Sequence, residues 1–385
     1  MATKQKGELQ DVVSLLTQIQ DNAKAAEKAT AKVCEVADEQ LIKALEPEPS
    51  LIYAWEPDFD PCYTMTRPSG SSITVQHIWD AYIDGEVIVL VGPTGCGKSA
   101  LAFHLMDRVN AGTRAKNSQI LARNALKLKS NPDMKTEDLE GYIPLPYEVA
   151  FLACKNGTRS EDLVGTVDLI YDAKGNKKPV VRFGAVTDAW VNGKTLIMEE
   201  ADTLDPGVAV ELHAYLDGRT KETMLYINGP QKVLRHSRFS SILTQNSLSD
   251  GANQLEFAGT VNQNGALVNR FSYVVQVGWM QPANEAALLV KKTGIDKDSA
   301  RDMVVAATQV RDEYDKDQCS NVISTRDLLS WSRETIRETK RSGIPHTNSS
   351  YWSEVVVASA FPSFLNILSD EATVQMIVGL LDTIR

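Results

Sequence analysis

The spacing of apolar positions changes along the chain. From Glu8 to Leu45, a stretch free of Pro and Gly, apolar residues recur at alternating three- and four-residue steps, which is typical of one helix face. "EPEPS" at 46–50 ends the pattern, because proline disfavours helix in the residue before it. Several stripe positions are only Ala, so we favour a helix docked on its own or a neighbouring subunit over a self-sufficient coiled coil.

Strand-like and helix-like stretches then alternate as far as Gln281. The apolar runs are "EVIVLV", "YEVAFLAC", "TLIMEEAD", "FSSILTQN" and "RFSYVVQVGW", and only helix-period segments follow them. This order predicts an α/β fold, with a mostly parallel sheet in a three-layer αβα domain and a helical C-terminal domain. We predict an N-terminal helical extension at 1–48, the αβα domain at 49–281 and the helical domain at 282–385.

Two β-hairpins are predicted as insertions in the αβα domain. One covers 167–193 around a Gly-Asn-Lys-Lys-Pro turn, and the other covers 222–236 around Asn-Gly-Pro. Residues 110–146 are predicted to be a long interruption, basic in its first part. We favour a solvated helical insertion there over a partner or nucleic-acid surface, because no aromatic residues are interleaved for base stacking.

Composition narrows the class of protein. A chain of 385 residues exceeds the size of one hydrophobic core, and its net charge of -10 argues against a protein that coats nucleic acid. No run of about eighteen apolar residues and no signal peptide is found, so we expect a cytoplasmic protein without a membrane span. The odd number and scatter of the cysteines fit a reducing compartment: Cys34, Cys62, Cys96, Cys154 and Cys319.

The octet "GPTGCGKS" stands between a strand-like run and a helix-like run, which is the context that a phosphate-binding loop requires. In such a loop, backbone N–H groups surround the phosphates, Lys98 neutralises the β- and γ-phosphate oxygens, and Ser99 ligates Mg²⁺. The predicted nucleotide-binding residues are Gly92, Pro93, Thr94, Gly95, Cys96, Gly97, Lys98, Ser99 and Ala100.

Hydrolysis of a bound triphosphate needs further groups. Glu199 could ligate the metal and Glu200 could orient or deprotonate the attacking water, although two acids could also cap the next turn. Asn246, after a strand, could hold that water, or be a turn residue. Arg270 and Arg326 carry permanent charges that could stabilise the transition state, although a lone Arg is ordinarily a surface residue.

The order of these segments resembles the AAA+ ATPases. More narrowly it is similar to the MoxR-type and dynein-related branch, which includes ATPase subunits of cobalt and magnesium chelatases and activators of nitric oxide reductase and Rubisco. The resemblance covers about residues 75–340 and is strongest over "SEDLVGT", "GKTLIMEEADTLDPGVAVELHAYLDGR", "RHSRFSSILTQNS" and "LVNRFSYVV".

The resemblance implies roles for the candidate residues. Gly92 to Ser99 would be Walker A, Glu199 and Glu200 Walker B, and Asn246 sensor 1. Arg270 would be the arginine finger that reaches a neighbour's nucleotide, and Arg326 would be sensor 2. Both hairpins face the central pore in relatives. Glu199 stands where the family has Asp, so we expect slow hydrolysis.

The function implied is a homo-oligomeric ring ATPase, of six subunits, that binds ATP and Mg²⁺ and remodels or activates another macromolecule. A protein partner is favoured, since this branch often works beside a von Willebrand A domain. Two alternatives stay open: a DNA-dependent motor that uses the basic insert and hairpin lysines, and a nucleotide-gated scaffold with little turnover, for which Glu199 is the best argument.

Overall fold

The computed structural model describes residues 64–130, 139–141, 148–171, 176–227, 229–246, 265–345, 347, 352–368 and 371–382. The predicted helix at 8–45 lies outside these residues. The described residues belong to two compact units, one within Ala102–Val149 and one within Glu56–Leu101 and Ala150–Arg385. The three predicted domain ranges remain predictions.

The strands of the described residues are β1 Thr64–Thr66, β2 Val87–Val91, β3 Val149–Ala153, β4 Gly165–Tyr171, β5 Lys177–Phe183, β6 Thr195–Glu199, β7 Glu222–Leu225, β8 Gln231–Leu234, β9 Ser240–Gln245 and β10 Tyr273–Gly278. The α-helices are α1 Val75–Ile83, α2 Lys98–Ser130, α3 Ser160–Leu163, α4 Ala185–Asn192, α5 Pro206–Ala209, α6 Leu212–Leu216, α7 Gly265–Val268, α8 Pro282–Thr293, α9 Lys297–Tyr314, α10 Thr325–Ser342, α11 Ala358–Ser363 and α12 Glu371–Asp382. Short 3₁₀ turns at Ala201–Thr203 and Leu365–Ile367 and a π-helical turn at Trp352–Val357 complete this part of the chain.

The main sheet has the strand order β1-β10-β2-β9-β6-β3. β2 pairs in parallel with β10 and β9, β9 pairs in parallel with β6, and β1 is antiparallel to β10. Val91, the last residue of β2, is opposite Gln245, the last residue of β9. Segments that leave these two strands therefore start side by side at one edge of the sheet.

Helices cover both faces of this sheet, which confirms the predicted αβα layers. Val89 and Leu196 lie in a buried cluster with Trp190 of α4 and with α6. Because successive side chains of a strand point to opposite faces of the sheet, the strand neighbours of Val89 and Leu196 face the other side. There the Tyr82 hydroxyl of α1 lies 2.6 Å from the Thr195 hydroxyl.

The two hairpins are present, but one is shorter than predicted. β4 pairs with β5 and β7 with β8, both antiparallel. The prediction of a hairpin over 167–193 was wrong beyond Phe183, because residues 185–192 form α4. That stretch buries Val186, Ala189 and Trp190 at helical spacing. It ends at Gly193, whose φ of 69° is the left-handed backbone conformation that is favoured after the last turn of an α-helix.

The helix after the phosphate-binding loop is longer than expected. α2 runs without interruption from Lys98 to Ser130, so the predicted break at Asn110 was wrong. Residues 98–130 contain no proline and a single glycine, Gly112, and nothing local stops the helix. The interpretation of the basic segment as helical is confirmed up to Ser130.

The helices predicted after Gln281 are confirmed for the described residues. α8 to α12 bury a common apolar cluster that includes Met303, Trp331 and Leu381. The Trp331 indole N–H donates to the Val356 carbonyl at 2.7 Å, so this large buried side chain has its polar group satisfied.

Candidate nucleotide-binding site

The loop between β2 and α2 can be formed only by glycine at its key positions. Gly95 and Gly97 have φ of +83° and +102°, a region that other residues rarely adopt. A Cβ on Gly92 would lie 2.0 Å from the Val277 carbonyl oxygen of β10. The loop therefore keeps its backbone open and close to the neighbouring strand, as a cradle of backbone N–H groups for phosphate requires.

Lys98, the first residue of α2, points back into this loop. Its ammonium donates to the carbonyl oxygens of Gly92 at 2.7 Å and Pro93 at 2.9 Å, and to Asn246 Oδ1 at 3.1 Å. Burial lowers the pKa of Lys98, whereas the carboxylates of Asp202 and Glu200 act in the opposite direction. A buried cation beside open backbone N–H groups is the arrangement that binds the terminal phosphates of a nucleotide.

Asn246 joins the loop to the next strand in the sheet. Its side-chain oxygen also accepts from the Thr94 hydroxyl at 3.3 Å, and its backbone N–H donates to Asp202 Oδ2 at 2.9 Å. The parallel pairing of β2 and β9 brings Asn246 to Lys98 although 148 residues separate them in the chain. This is the position from which an amide could orient a water beside a terminal phosphate.

The two glutamates follow β6 at the same edge of the sheet. Glu199 is its last residue, and Glu200 has a left-handed backbone with φ of 53°. The Glu200 peptide is held on both sides, because its N–H donates to Thr244 Oγ1 at 3.2 Å and its carbonyl accepts from Thr203 Oγ1 at 2.8 Å. A strained residue that its surroundings hold so firmly is typical of a functional site.

The start of α10 lies against the phosphate-binding loop. A Cβ on Gly95 would come within 2.5 Å of Ser324 Cβ and 3.9 Å of Arg326 Cβ. The charge of Arg326 adds to the lowering of the Lys98 pKa, after the larger effects of burial. The structure therefore brings Arg326 to the site, where sequence reasoning placed it.

Arg270 lies elsewhere. Its Nε donates to the His213 carbonyl at 3.1 Å, and it lines a cavity of about 640 Å³ with Gly85, Arg235 and Ser272. These residues precede β2, β9 or β10, whereas the phosphate-binding loop follows β2. Because a five-residue strand spans roughly 13 Å or more, the Arg270 side chain belongs to the opposite edge of the sheet.

Two residues of the site were not predicted. Asp202, which is 1% exposed, accepts a hydrogen bond from the Asn246 backbone N–H, and Ser324 lies next to Gly95. The run "EEAD" offered a hint of the first. The pattern S-x-x-D at 324–327 indicated a helix cap, and Ser324 Oγ does accept from the Asp327 N–H at 3.2 Å. Neither pattern indicates which loop the residue contacts.

The strand order, the glycine-built loop with its lysine and the helices that follow β10 define an α/β P-loop fold, and together they resemble the AAA+ ATPases. Residues 285–345 match the family model for the CbbQ/NirQ/NorQ C-terminal domain. That match lies among the helices after β10 and confirms the resemblance of this chain to the MoxR-type branch.

Similarity to other known proteins is distant. No curated protein sequence matches the chain. The solved structure of the Thermotoga maritima RuvB Holliday junction branch migration motor is 10% identical, with a TM-score of 0.39, over 78% of this chain and 70% of that one. NtrX from Brucella abortus in complex with ADP is 15% identical, with a TM-score of 0.40, over 94% and 74%. The AAA domain of FIGL-1 in complex with ADP is 11% identical, with a TM-score of 0.35, over 77% of each chain. None of these values assigns an activity to this chain.

In the part of the chain that the structure describes, no helix combines the length and apolarity needed to cross a membrane.

Proposed function

We propose that the protein is an ATPase that assembles into a ring, of six subunits, and uses ATP binding and hydrolysis to remodel or activate a partner protein. One observation carries this proposal: Lys98, Asn246 and the start of α10 meet at the phosphate-binding loop, while Arg270 lies at the far edge of the same sheet. Such a chain would hold its own nucleotide with these groups and Arg326, and Arg270 of an adjacent copy would add a second guanidinium.

The residues around the loop fit a nucleoside triphosphate with Mg²⁺. The glycine backbone and Lys98 would hold the phosphates, and Ser99 and Glu199 would ligate the metal, which neutralises developing charge when bound. Glu200 would orient the attacking water together with Asn246. A longer carboxylate at 199 than the family's Asp supports slow turnover, and the choice of ATP over GTP rests on family likeness.

Arg270 would act on the nucleotide of an adjacent copy. The hydrogen bond from its Nε to the His213 carbonyl sets the position of Arg270 in the fold, far from the phosphate-binding loop of its own chain. A guanidinium supplied in this way typically raises turnover by about a thousandfold or more, so assembly would be a condition of activity.

The exposed hairpins support a protein partner. On the β4–β5 hairpin, Leu169 is 63% and Tyr171 is 67% exposed, and on the other hairpin Tyr226 is 73% exposed. Aromatic and aliphatic side chains that stay exposed to water on a β-hairpin are typical of protein-binding surfaces. The net charge of -10 also favours a protein over a nucleic acid.

Subunit mixing tests the shared site. Lys98→Ala removes the cradle's own cation, and Arg270→Ala removes the contributed guanidinium, so each variant alone should be nearly inactive in a steady-state ATPase assay. A mixture should regain activity, because some interfaces then combine an intact Lys98 with an intact Arg270 from different chains. If the wild type hydrolyses ATP but the mixture stays inactive, the shared site is refuted.

Turnover in the presence of macromolecules tests the partner. We expect proteins co-purified from the native host to raise the ATPase rate and duplex DNA to leave it unchanged. Stimulation by DNA that falls steeply with added salt would instead identify a nucleic-acid motor. If the Glu200→Gln variant and the wild type release phosphate at the same rate, the chain is a nucleotide-gated scaffold.

A further inference from the structure

A buried ion pair lies inside the helical domain. Glu285 in the first turn of α8 is 0% exposed and Arg311 near the end of α9 is 5% exposed. The guanidinium donates to both carboxylate oxygens, with Nη1–Oε2 at 2.8 Å and Nη2–Oε1 at 3.0 Å. Removing two charges from water costs free energy, and apolar pairs of similar volume often serve stability as well or better. The pair therefore calls for a role other than holding helices together.

Two further side-chain hydrogen bonds of this pair, within the described part of the chain, go to the start of α10. Arg311 Nε donates to the Ile323 carbonyl at 2.9 Å, and the Thr325 hydroxyl donates to Glu285 Oε1 at 2.5 Å. Ile323 and Thr325 stand on either side of Ser324, the N-cap residue of α10. The ion pair thus holds both neighbours of the residue that lies on the phosphate-binding loop.

The same pair is tied to the strand beneath the loop. The Arg311 guanidinium lies 4.2 Å from the ring centroid of Trp279, the residue that directly follows β10. Two residues earlier, the Val277 carbonyl accepts from Cys96 Sγ of the loop at 3.4 Å. One buried guanidinium therefore touches the start of α10 on one side and the end of β10 on the other.

We propose that Glu285 and Arg311 are positioning residues. They hold Ser324 and Arg326 beside the phosphate-binding loop, so that α10 can contact a bound nucleoside triphosphate. The proposal rests on the function proposed above and names groups that act through α10. The proposal predicts that breaking a contact between this pair and α10 lowers nucleotide affinity by more than the loss of stability explains.

The test uses two buried threonines of α10. Thr325→Val removes the hydroxyl that donates to Glu285 and keeps the side-chain volume. Thr335→Val is the matched control, since the Thr335 hydroxyl is also buried and donates to the Trp331 carbonyl of its own helix at 3.0 Å. Each variant loses one buried hydrogen bond, and the bond at Thr325 goes to a charged carboxylate, so thermal melts of both variants supply the stability loss against which each change in nucleotide affinity is compared.

We expect Thr325→Val to raise the Kd of a fluorescent ATP analogue and the KM for ATP by about three- to tenfold, because a hydrogen bond to a charged group is involved. The kcat should change less than KM, and Thr335→Val should leave both constants within twofold of the wild type. Thr325→Ser, which restores the hydroxyl, should recover the affinity. Glu285→Gln should weaken binding further, if it folds.

Equal changes in nucleotide Kd for the Thr325→Val and Thr335→Val variants would overturn the proposal, and so would failure of Thr325→Ser to restore binding. These outcomes are read against a wild type that binds and hydrolyses ATP. A wild type that does neither would instead refute the proposed function, so the two failures are distinguishable.

Discussion

Replacing Gly95 with alanine tests whether α10 rests on the phosphate-binding loop. Gly95 has φ of +83°, and a Cβ there would lie 2.5 Å from Ser324 Cβ and 2.6 Å from Ser324 Oγ. Gly294, the C-cap of α8, has φ of +79° and nothing within 4 Å of the same point. Gly294→Ala therefore imposes the same backbone strain without the contact and serves as a matched control.

The two substitutions should differ by the cost of that contact. A left-handed backbone costs alanine roughly 1 kcal/mol relative to glycine, which is the expected loss in unfolding free energy for Gly294→Ala. Gly95→Ala should add about 1–3 kcal/mol for overpacking against Ser324. Guanidinium chloride unfolding followed by circular dichroism measures both, and a fluorescent ATP analogue should show weaker binding only to the Gly95→Ala variant.

A double variant isolates the contact. Ser324→Gly removes both clashing atoms and, as a helix-cap change to glycine, costs only about a few tenths of a kcal/mol by itself. In the Gly95→Ala background it should recover stability and nucleotide affinity, with a coupling free energy of about 0.5 kcal/mol or more. Strictly additive effects, or a Gly95→Ala variant no less stable than Gly294→Ala, would refute the placement of α10 on the loop.

Three further outcomes are expected. Burial raises the pKa of the Cys154 thiol to about 12, well above that of a free thiol, so its stabilising contribution is fully present below the free thiol's pKa and is lost as pH rises toward 12. The thiol should resist alkylation at about pH 8, and Cys154→Ala should flatten alkaline unfolding. Trp331→Phe leaves the buried Val356 carbonyl without its donor and should cost about 1–3 kcal/mol in chemical denaturation. Glu200→Gly should exceed Glu200→Gln in unfolding free energy by about 1 kcal/mol, because φ of 53° suits glycine, while neither variant turns over ATP normally.

Local chemistry made several features predictable. Asp205 at the N-cap and Pro206 at the first helical position are typical of a helix start, and α5 begins there, with the Asp205 side chain accepting from the Gly207 N–H at 2.8 Å. Arg326 lies in the first turn of α10, as predicted. Such features depend on residues within a few positions of one another, which a sequence displays directly.

Two predictions were wrong about where an element ends, those for the first hairpin and for the helix after the phosphate-binding loop. The glycine and lysine turn near 175 drew the hairpin prediction too far, over the helix Ala185–Asn192, whose buried face is revealed by its packing on the sheet. The segment from Asn110 was predicted as an insertion separate from the helix before it, although charged and amide side chains continue a helix when no proline interrupts it. Residue type is a weak guide to an element's end.

The sequence by itself determined the phosphate-binding loop, since glycine spacing, a lysine and flanking apolar runs are all local. It also determined the alternation of strands and helices that produces a parallel sheet. Only the tertiary structure decided that Asn246 contacts both Lys98 and Asp202, that Ser324 lies next to Gly95, and that Arg270 lies at the opposite edge. Those relations depend on strand order and on helix docking, which arise from contacts between residues far apart in the chain, 44 positions for Asp202 and Asn246 and 148 for Lys98 and Asn246.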